Sequence, residues 1–126
     1  MKDIYERVRV ADIPKENMME AYLSQPETGL DDWLIGGAST KLKPGNVCEV
    51  ESYSLNESVA KKFHDFEYNE IQRAFANGIA DNLQKRGCKQ ATVVANDVDS
   101  LFLWKSAGFK IKSGGNGKPM LMSRWF

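Results

Sequence analysis

The sequence predicts an α/β fold, with a mixed central sheet flanked by helices and a β-hairpin at the C-terminus. Segments near both ends of the chain alternate apolar and polar residues, as half-buried strands do, whereas residues 56–86 carry apolar side chains at helical spacing. Strand-like and helix-like segments follow one another along the chain, which is typical of helices packed on a sheet. The chain has 126 residues, of which 42% are hydrophobic, so we expect a single domain over residues 1–126.

Residues 1–55 predict three strands and one helix. Residues 4–10 alternate apolar and charged side chains and so predict the first strand. Proline is favoured in the first turn of a helix, so Pro14 begins a predicted helix that ends at the breaker "SQPETG". Its apolar side consists of Met18, Met19, Tyr22 and Leu23. The run "DWLIGG" and the β-rich residues 47–55, separated by the turn "KPGN", predict the next two strands.

A long amphipathic helix is predicted over residues 56–86. Asn56 or Ser58 can cap its start, and Gly87 ends it. A break near residues 65–69 is the alternative. The apolar residues at helical spacing are Val59, Phe63, Phe66, Ile71, Phe75, Ile79 and Leu83. We expect this stripe to face a sheet that includes the β-branched residues Val93 and Val94.

The C-terminal segment predicts a buried strand, a short helix and a hairpin. Residues 89–96 form an apolar, β-branched run that suits the middle of a sheet. Asn96 and Asp97 end this strand, and either side chain can cap a helix over residues 98–107 that stops at Gly108. The sequence "SGGNGKP" predicts the hairpin turn, and "MLMSRWF" its second strand.

Charge and cysteine content narrow the class of protein. Lysine plus arginine and aspartate plus glutamate both number 17, and this balance disfavours nucleic acid as a partner. No apolar run approaches the roughly 20 residues needed to span a bilayer, so we expect no membrane association, and the charged N-terminus does not predict a signal peptide. Cys48 and Cys88 are interpreted as reduced thiols of a cytoplasmic protein, with a disulfide as the less favoured alternative.

The sequence around the short helix follows the pattern S-x-x-L-W-x-x-x-G-F. Ser100 is its small residue, Leu103 and Trp104 its central pair, and Gly108 and Phe109 its end. With the buried strand before it and the hairpin after it, this pattern resembles the end of the GCN5-related N-acetyltransferase (GNAT) superfamily. The resemblance covers the C-terminal third of the chain and implies a GNAT-like sheet.

Three departures from the family pattern affect the cofactor site. The family binds pyrophosphate on a glycine-rich loop at the start of its long helix, but "SLNESVAKKF" contains no glycine. The nearest match, residues 73–78, lies inside the predicted helix, where backbone N–H groups are already bonded. Trp104 replaces a tyrosine that often acts as a general acid, and an indole N–H gives up no proton at neutral pH. The family's asparagine falls on Asp97 by spacing, and on Asn96 only with a bulge.

The resemblance implies acyl-CoA-dependent N-acetyltransfer to an amine of a small molecule or protein. Glu49 or Glu51 would deprotonate the amine directly or through water, although both also suit a solvent-facing strand surface. The cofactor would be acetyl-CoA. The residues expected to bind it are Asn56, Glu57 and Ser58 at the helix start, together with Asn96, Asp97 and Trp104. His64 is a single histidine without metal-ligand spacing, so no metal site is expected.

The resemblance also predicts strand geometry. Residues 47–55 and 89–96 should be parallel neighbours, because a helix between two strands of one sheet makes a right-handed crossover. In the family such strands splay apart at their C-terminal ends and admit the pantetheine arm of the cofactor, so we expect the same here.

The departures leave a second function open. With this incomplete motif the sequence is similar to small acetyltransferase-fold proteins encoded by tailed phages. Some of those are virion or host-interaction proteins. The alternative is therefore a catalytically inactive GNAT-fold protein with a binding or structural role, located in the host cytoplasm or the virion. A homodimer is compatible with the sequence, and the sequence does not identify the amine that would accept the acetyl group.

Overall fold

One mixed sheet organises the chain. The computed structural model describes residues 7–24, 33–62, 67–115 and 118–126. In these ranges seven strands form one sheet in the order β1-β2-β3-β4-β5-β7-β6. The strands are β1 (Val8–Ile13), β2 (Met18–Leu23), β3 (Trp33–Lys43), β4 (Val47–Leu55), β5 (Gln90–Ala95), β6 (Lys110–Gly115) and β7 (Lys118–Trp125). Only β4 and β5 are parallel, and β6 and β7 form the C-terminal hairpin, so the predicted fold class is confirmed.

Two helices occupy the stretch that was predicted as one. A short helix, α1, spans Glu57–Ala60, and the long helix, α2, spans Tyr68–Lys85. The break that was the alternative is therefore the one observed, although Phe63, His64 and Phe66 lie outside the described residues. The third helix, α3, spans Val98–Ser106 as predicted. None of the helices in the described ranges is long and apolar enough to cross a membrane.

The helix predicted to begin at Pro14 is wrong. A 3-10 turn over Pro14–Glu16 leads through Asn17, with φ 53°, into strand β2. The strand pairs with β1 on one side and β3 on the other. Its buried side chains alternate, as in a strand: Met19, Ala21 and Leu23 are all 0% exposed. Pairing on both edges overrides a short apolar pattern that also suits a helix.

Helix α2 packs its predicted stripe against the sheet. Ile71, Phe75, Ile79 and Leu83 are at most 1% exposed, which confirms the helix phase. In β5, Val93 is buried but Val94 is 38% exposed, so the expectation that both face the helix is wrong for Val94. The reason is the period of two in a strand, which turns neighbouring side chains to opposite faces.

The C-terminal end of α2 is fastened to the far edge of the sheet. Arg86 Nε lies 2.8 Å from both carboxylate oxygens of Asp12, and Arg86 Nη1 donates to Thr40 Oγ1 at 2.7 Å. One turn earlier, Asn82 donates to the carbonyl of Val10 at 3.0 Å. These bonds connect α2 with β1 and β3 and so fix its direction across the sheet.

Cys48 and Cys88 form a disulfide, so the interpretation of two reduced thiols is corrected. The Cα atoms lie 6.0 Å apart across a sequence separation of 40 residues. The crossover from β4 through α2 brings the chain back to β5, which pairs Cys48 with Ala91. Cys88 lies three residues before Ala91 and is therefore close to Cys48. The spacing of the two cysteines in the sequence does not reveal this proximity.

Candidate functional site

Strands β4 and β5 separate after a short paired segment. Their parallel pairing runs over four residue pairs and ends at Val50 with Val93. Beyond it, β4 continues to pair with β3 as far as Leu55, and β5 pairs with β7 as far as Ala95. The two strands therefore stay in the sheet but lose contact with each other, which confirms the predicted splay.

A β-bulge at Glu51 accompanies the separation. Val50 pairs with Thr40 and Ser52 with Ser39, so no residue of β3 stands opposite Glu51. An extra residue bends the strand that carries it and increases its twist. The bend lies where pairing with β5 stops, and we attribute the divergence of β4 to it.

The bulge also decides which side chains face the helices. Before it, Cys48 and Val50 are buried on the helix face, and an unbroken alternation would continue with Ser52. The inserted residue shifts the alternation by one, so Tyr53 faces inward instead. Sequence reasoning missed Tyr53 for this reason, and the only signal was the β-rich composition of the strand.

A cavity of about 160 Å³, here called the β4–β5 gap, lies beside the end of β4 that has separated from β5. It is lined by Tyr53, Ser54 and Leu55 of β4, by Tyr68, Gln72 and Phe75 of α2, and by the cap residue Asp97 with Asp99, Ser100 and Leu103 of α3. A larger opening of about 650 Å³, here called the α2–α3 cleft, lies between the two helices. Gln72, Asp99 and Leu103 line both, so the gap and the cleft are adjacent.

The α2–α3 cleft carries cationic and aromatic groups. Arg73 and Lys105 line it from opposite helices, and both side chains are exposed. Phe102 also lines it and is 63% exposed, although a large apolar side chain is usually buried. Cations can bind phosphate groups, and an exposed ring can stack on a nucleotide base. Asp99 contributes one opposing carboxylate.

Helix α3 begins at the gap with a side-chain cap. Asp97 Oδ1 accepts a hydrogen bond from the backbone N–H of Ser100 at 2.7 Å, as predicted for this position. Hydrogen bonds from the backbone and side chain of Ser100 lower the pKa of Asp97 below its ordinary value. Asn96, also predicted to bind cofactor, is exposed just before this cap.

The end of α3 explains the pattern that carried the resemblance. Gly108 has φ 87°, and its N–H donates to the carbonyl of Lys105 at 3.0 Å, while Phe109 N–H donates to the carbonyl of Trp104 at 3.0 Å. This pair of bonds is a Schellman motif, which requires a left-handed residue and favours glycine. The apolar contact expected in such a motif is the edge-on packing of Trp104 and Phe109.

Trp104 is a core residue that packs against Tyr53, one of the residues that line the gap. Its exposed fraction is 0%, and its ring meets Tyr53 edge-on at 5.1 Å. A direct cofactor contact, as expected from the sequence, would require the ring to reach the cavity, and Tyr53 lies there instead. Among the described residues the indole Nε1 of Trp104 has no hydrogen-bond partner.

The predicted catalytic carboxylates lie on β4 near the bulge. Glu49 is half-buried and pairs with Lys43, with 3.0 Å between Nζ and Oε2. Glu51 is exposed at the bulge itself. Of the described residues that line the gap and the cleft, neither Glu49 nor Glu51 is one, so the structure does not bring them together with the predicted cofactor residues.

The helix start predicted to bind pyrophosphate is already occupied by local bonds. Asn56 caps α1 by accepting from Val59 N–H at 3.2 Å, and its own N–H donates to the carbonyl of Ile35 at 2.6 Å. The carboxylate of Glu57 lies 2.5 Å from Lys61 Nζ. Ser58 is exposed within a helix of four residues. This start therefore offers few free donors and places an anion beside them.

The start of α2 is better placed than the start of α1 to bind a phosphate group. Tyr68 is the first residue of α2 and lines the gap, and Asn69 lines the cleft. Within the described part of the chain, Glu67 makes no side-chain cap bond to this helix. The first N–H groups of a helix have no partner inside the helix and attract anions. Among the described residues no cluster of three or more potential ligands could hold a metal ion.

Comparison with known proteins identifies the fold. No protein-family model matches the sequence, and no curated protein matches it. An acetyltransferase of Bacillus subtilis solved with CoA superimposes with a TM-score of 0.63 at 13% identity, over 88% of this chain and 78% of that one. An IAA acetyltransferase from Bacillus cereus gives 0.62 at 14% identity, over 87% and 79%. Aminoglycoside acetyltransferase AAC(6')-Ib with coenzyme A and kanamycin gives 0.59 at 11%, over 89% and 69%. The chain therefore has the GNAT fold.

Proposed function

We propose that the protein is an acyl-CoA-dependent N-acyltransferase. The observation that carries this proposal is the separation of β4 and β5 beside a cavity that adjoins the α2–α3 cleft. Beyond the bulge, β4 is paired on its β3 side only, so backbone groups on its other side face the gap. The amide groups of a pantetheine arm could bond to them as an added strand does.

The groups of the cleft suit the nucleotide end of the same cofactor. Pyrophosphate would lie at the start of α2, near the N–H groups of Tyr68 and Asn69. Arg73 and Lys105 would neutralise phosphate charge, and Phe102 would stack on the adenine. Several solved neighbours contain coenzyme A, which supports this choice of cofactor.

The acid is assigned from its position at the gap, whereas the base is carried over from the sequence prediction. Acetyl-CoA supplies an acyl thioester. Tyr53 lines the gap, and its phenol could donate a proton to a departing thiolate, because the indole N–H of Trp104 gives up no proton at neutral pH. Glu51, exposed at the bulge, could take a proton from the amine through water. Glu49 is held by Lys43 and is the weaker candidate.

Calorimetry and steady-state kinetics test the proposal together. We expect acetyl-CoA to bind, and Arg73→Glu or Lys105→Glu to weaken binding by about tenfold or more. Lys110→Glu, an exposed lysine outside the gap and the cleft, is the matched control and should bind as the parent does. A dissociation constant weaker than about 1 mM for the parent protein would overturn the proposal.

Tyr53→Phe tests the assigned acid. Acetyl transfer to a polyamine or an aminoglycoside should fall by about 100-fold in kcat, while acetyl-CoA affinity stays unchanged, because general acids contribute on that order. An unchanged kcat would remove Tyr53 from the mechanism but would leave the cofactor site standing.

A second candidate is a binding protein that keeps the GNAT fold without catalysis. It is supported by the buried Trp104 at the family's tyrosine position and by helix starts that carry Glu57 and Glu67 and no glycine. Absence of acetyl-CoA binding would favour it. A phage origin, a homodimer and a cytoplasmic location stay predictions. The cytoplasmic location was predicted partly from reduced cysteines, and the disulfide removes that argument.

A further inference from the structure

The disulfide opens onto a cavity at the end of β4 remote from the β4–β5 gap. This cavity has a volume of about 270 Å³, and both Cys48 and Cys88 line it with Leu42, Asn46 and Arg86. Cys48 is 3% exposed and Cys88 6%. A side chain built at Gly87 would meet nothing within 4 Å, so the approach beside Cys88 is open.

The disulfide is also placed at the base of the diverging strands. Cys48 stands in the second of the four residue pairs that join β4 and β5, and Cys88 precedes β5 by two residues. The covalent bond therefore supplements four parallel residue pairs, beyond which the strands separate. Opening it would leave the base of the gap held by backbone hydrogen bonds and packing alone.

We propose that Cys48–Cys88 is a thiol–disulfide exchange site for low-molecular-weight monothiols, which enter through this cavity. A cavity of about 270 Å³ lies near the lower end of the roughly 300–1,000 Å³ range of small-molecule pockets, so its size suits a low-molecular-weight thiol. Asn17, Asn46 and Arg86 are the polar residues of its lining. The charge of Arg86 is largely offset by Asp12, so neutral and anionic thiols both fit.

The exchange is a balanced substitution at sulfur. The thiolate of the entering molecule bonds to Sγ of Cys88, the bond between the two cysteines breaks, and Cys48 leaves as a thiolate that takes a proton from water. Cys88 is the expected target because it is the more exposed and lies outside the strands. A second thiol molecule then releases Cys88 and departs as the oxidised dimer, so the cysteines are reduced and the thiols oxidised.

The test uses the full chain, with β-mercaptoethanol and glutathione as probes, in native buffer. Samples are quenched with acid and analysed by intact mass and peptide mapping. We expect a mixed disulfide on Cys88, formed at a rate that low denaturant concentrations do not change, because native exchange needs no global unfolding. Exchange only at the rate of global unfolding would overturn the proposal.

Variants at the rim separate access from stability. Leu42 lines the cavity and is 66% exposed, so Leu42→Trp should fold, narrow the entrance and slow native exchange by about tenfold. Leu42→Ala should accelerate it. Leu34→Trp is the matched control, since Leu34 is 52% exposed on the same strand and does not line the cavity. Equal rates in the three variants would contradict the assigned route.

The inference stands apart from the acyltransferase proposal. The readout is a mass change on a cysteine, not acetyl transfer or cofactor binding. Loss of acetyl-CoA binding would therefore leave this site intact, and absence of native exchange would leave the cofactor site intact.

Discussion

Glu51 shows how one residue can determine a functional surface. As the extra residue of a bulge, it reverses the alternation of β4 and turns Tyr53 toward Trp104 and the gap. Asp97 and Gly108, at the two ends of α3, have the local roles that the sequence predicted. Asp97 caps the helix, and Gly108 takes the left-handed conformation that closes it.

Gly108→Val should destabilise the fold by more than about 1 kcal/mol, because a β-branched residue at φ 87° is strained. Its Cβ would also lie 3.3 Å from Arg124 Nε. Urea unfolding measures the change. Gly45→Val is the control, since Gly45 has φ 83° and open space around it, and it isolates the backbone strain. A Gly108→Val protein as stable as the parent would contradict the Schellman assignment.

Asp97→Ala should lower the thermal midpoint at pH 7, and the effect should shrink in acid. The pKa of Asp97 is depressed in the folded state by its bonds to Ser100. A depressed carboxyl pKa contributes stability above the unfolded value, here near the ordinary 3.8, and the contribution is lost as the pH falls through the folded pKa. Thermal scans from pH 7 to about pH 2 test this. A difference that stays constant over that range would refute the charged cap.

Helix α2 is the element that connects the two ends of the sheet. Its start borders the gap, its buried stripe covers β-strands, and its last turn is fastened to β1 and β3 through Arg86. Burial of Ile71, Phe75, Ile79 and Leu83 supplies much of its stability, because hydrophobic packing rather than intrinsic propensity holds most helices in proteins.

Phe75→Ala should lower the free energy of unfolding by about 3–5 kcal/mol, the usual cost of removing a fully buried aromatic ring. Phe75 is 1% exposed and also lines the gap, so the variant tests the helix phase directly. Gln72→Ala, a partly exposed neighbour on the same helix, should cost far less. Guanidinium unfolding provides the measurement, and equal losses in the two variants would contradict the phase.

The molecule as a whole joins β4 and β5 firmly at one end and parts them at the other. The disulfide and four residue pairs hold the base, whereas the bulge and the divergence create the gap. A site between two strands of one sheet needs both features, because the strands must separate locally without releasing the sheet.

Reduction of the disulfide should lower the free energy of unfolding by about 4 kcal/mol, on the chain-entropy estimate for a loop of this length. The bond closes a sequence separation of 40 residues that contains the whole crossover. Unfolding curves with and without reductant measure the change, and the Cys48→Ala, Cys88→Ala double variant in oxidising buffer should match the reduced parent. Identical curves with and without reductant would show that the bond contributes nothing.

Local patterns were enough to predict much of the architecture. The stripe on α2, the cap at Asp97, the glycine that ends α3 and the C-terminal hairpin all rest on contacts within a few residues, and the structure confirms each. Local spacing could not distinguish helix from strand at β2, because its apolar residues satisfy both periods over so short a run.

The site depends on interactions between distant parts of the chain. The partner of Cys48 lies across the crossover, and the phase of Tyr53 depends on how β4 registers with β3. The strands diverge because the pairing between β4 and β5 ends at Val50 and Val93. Periodicity and capping are properties of neighbouring residues and can be read from their order. Register, bulges and cross-links are set when remote strands compete for the same backbone hydrogen bonds, and only the packed sheet resolves that competition.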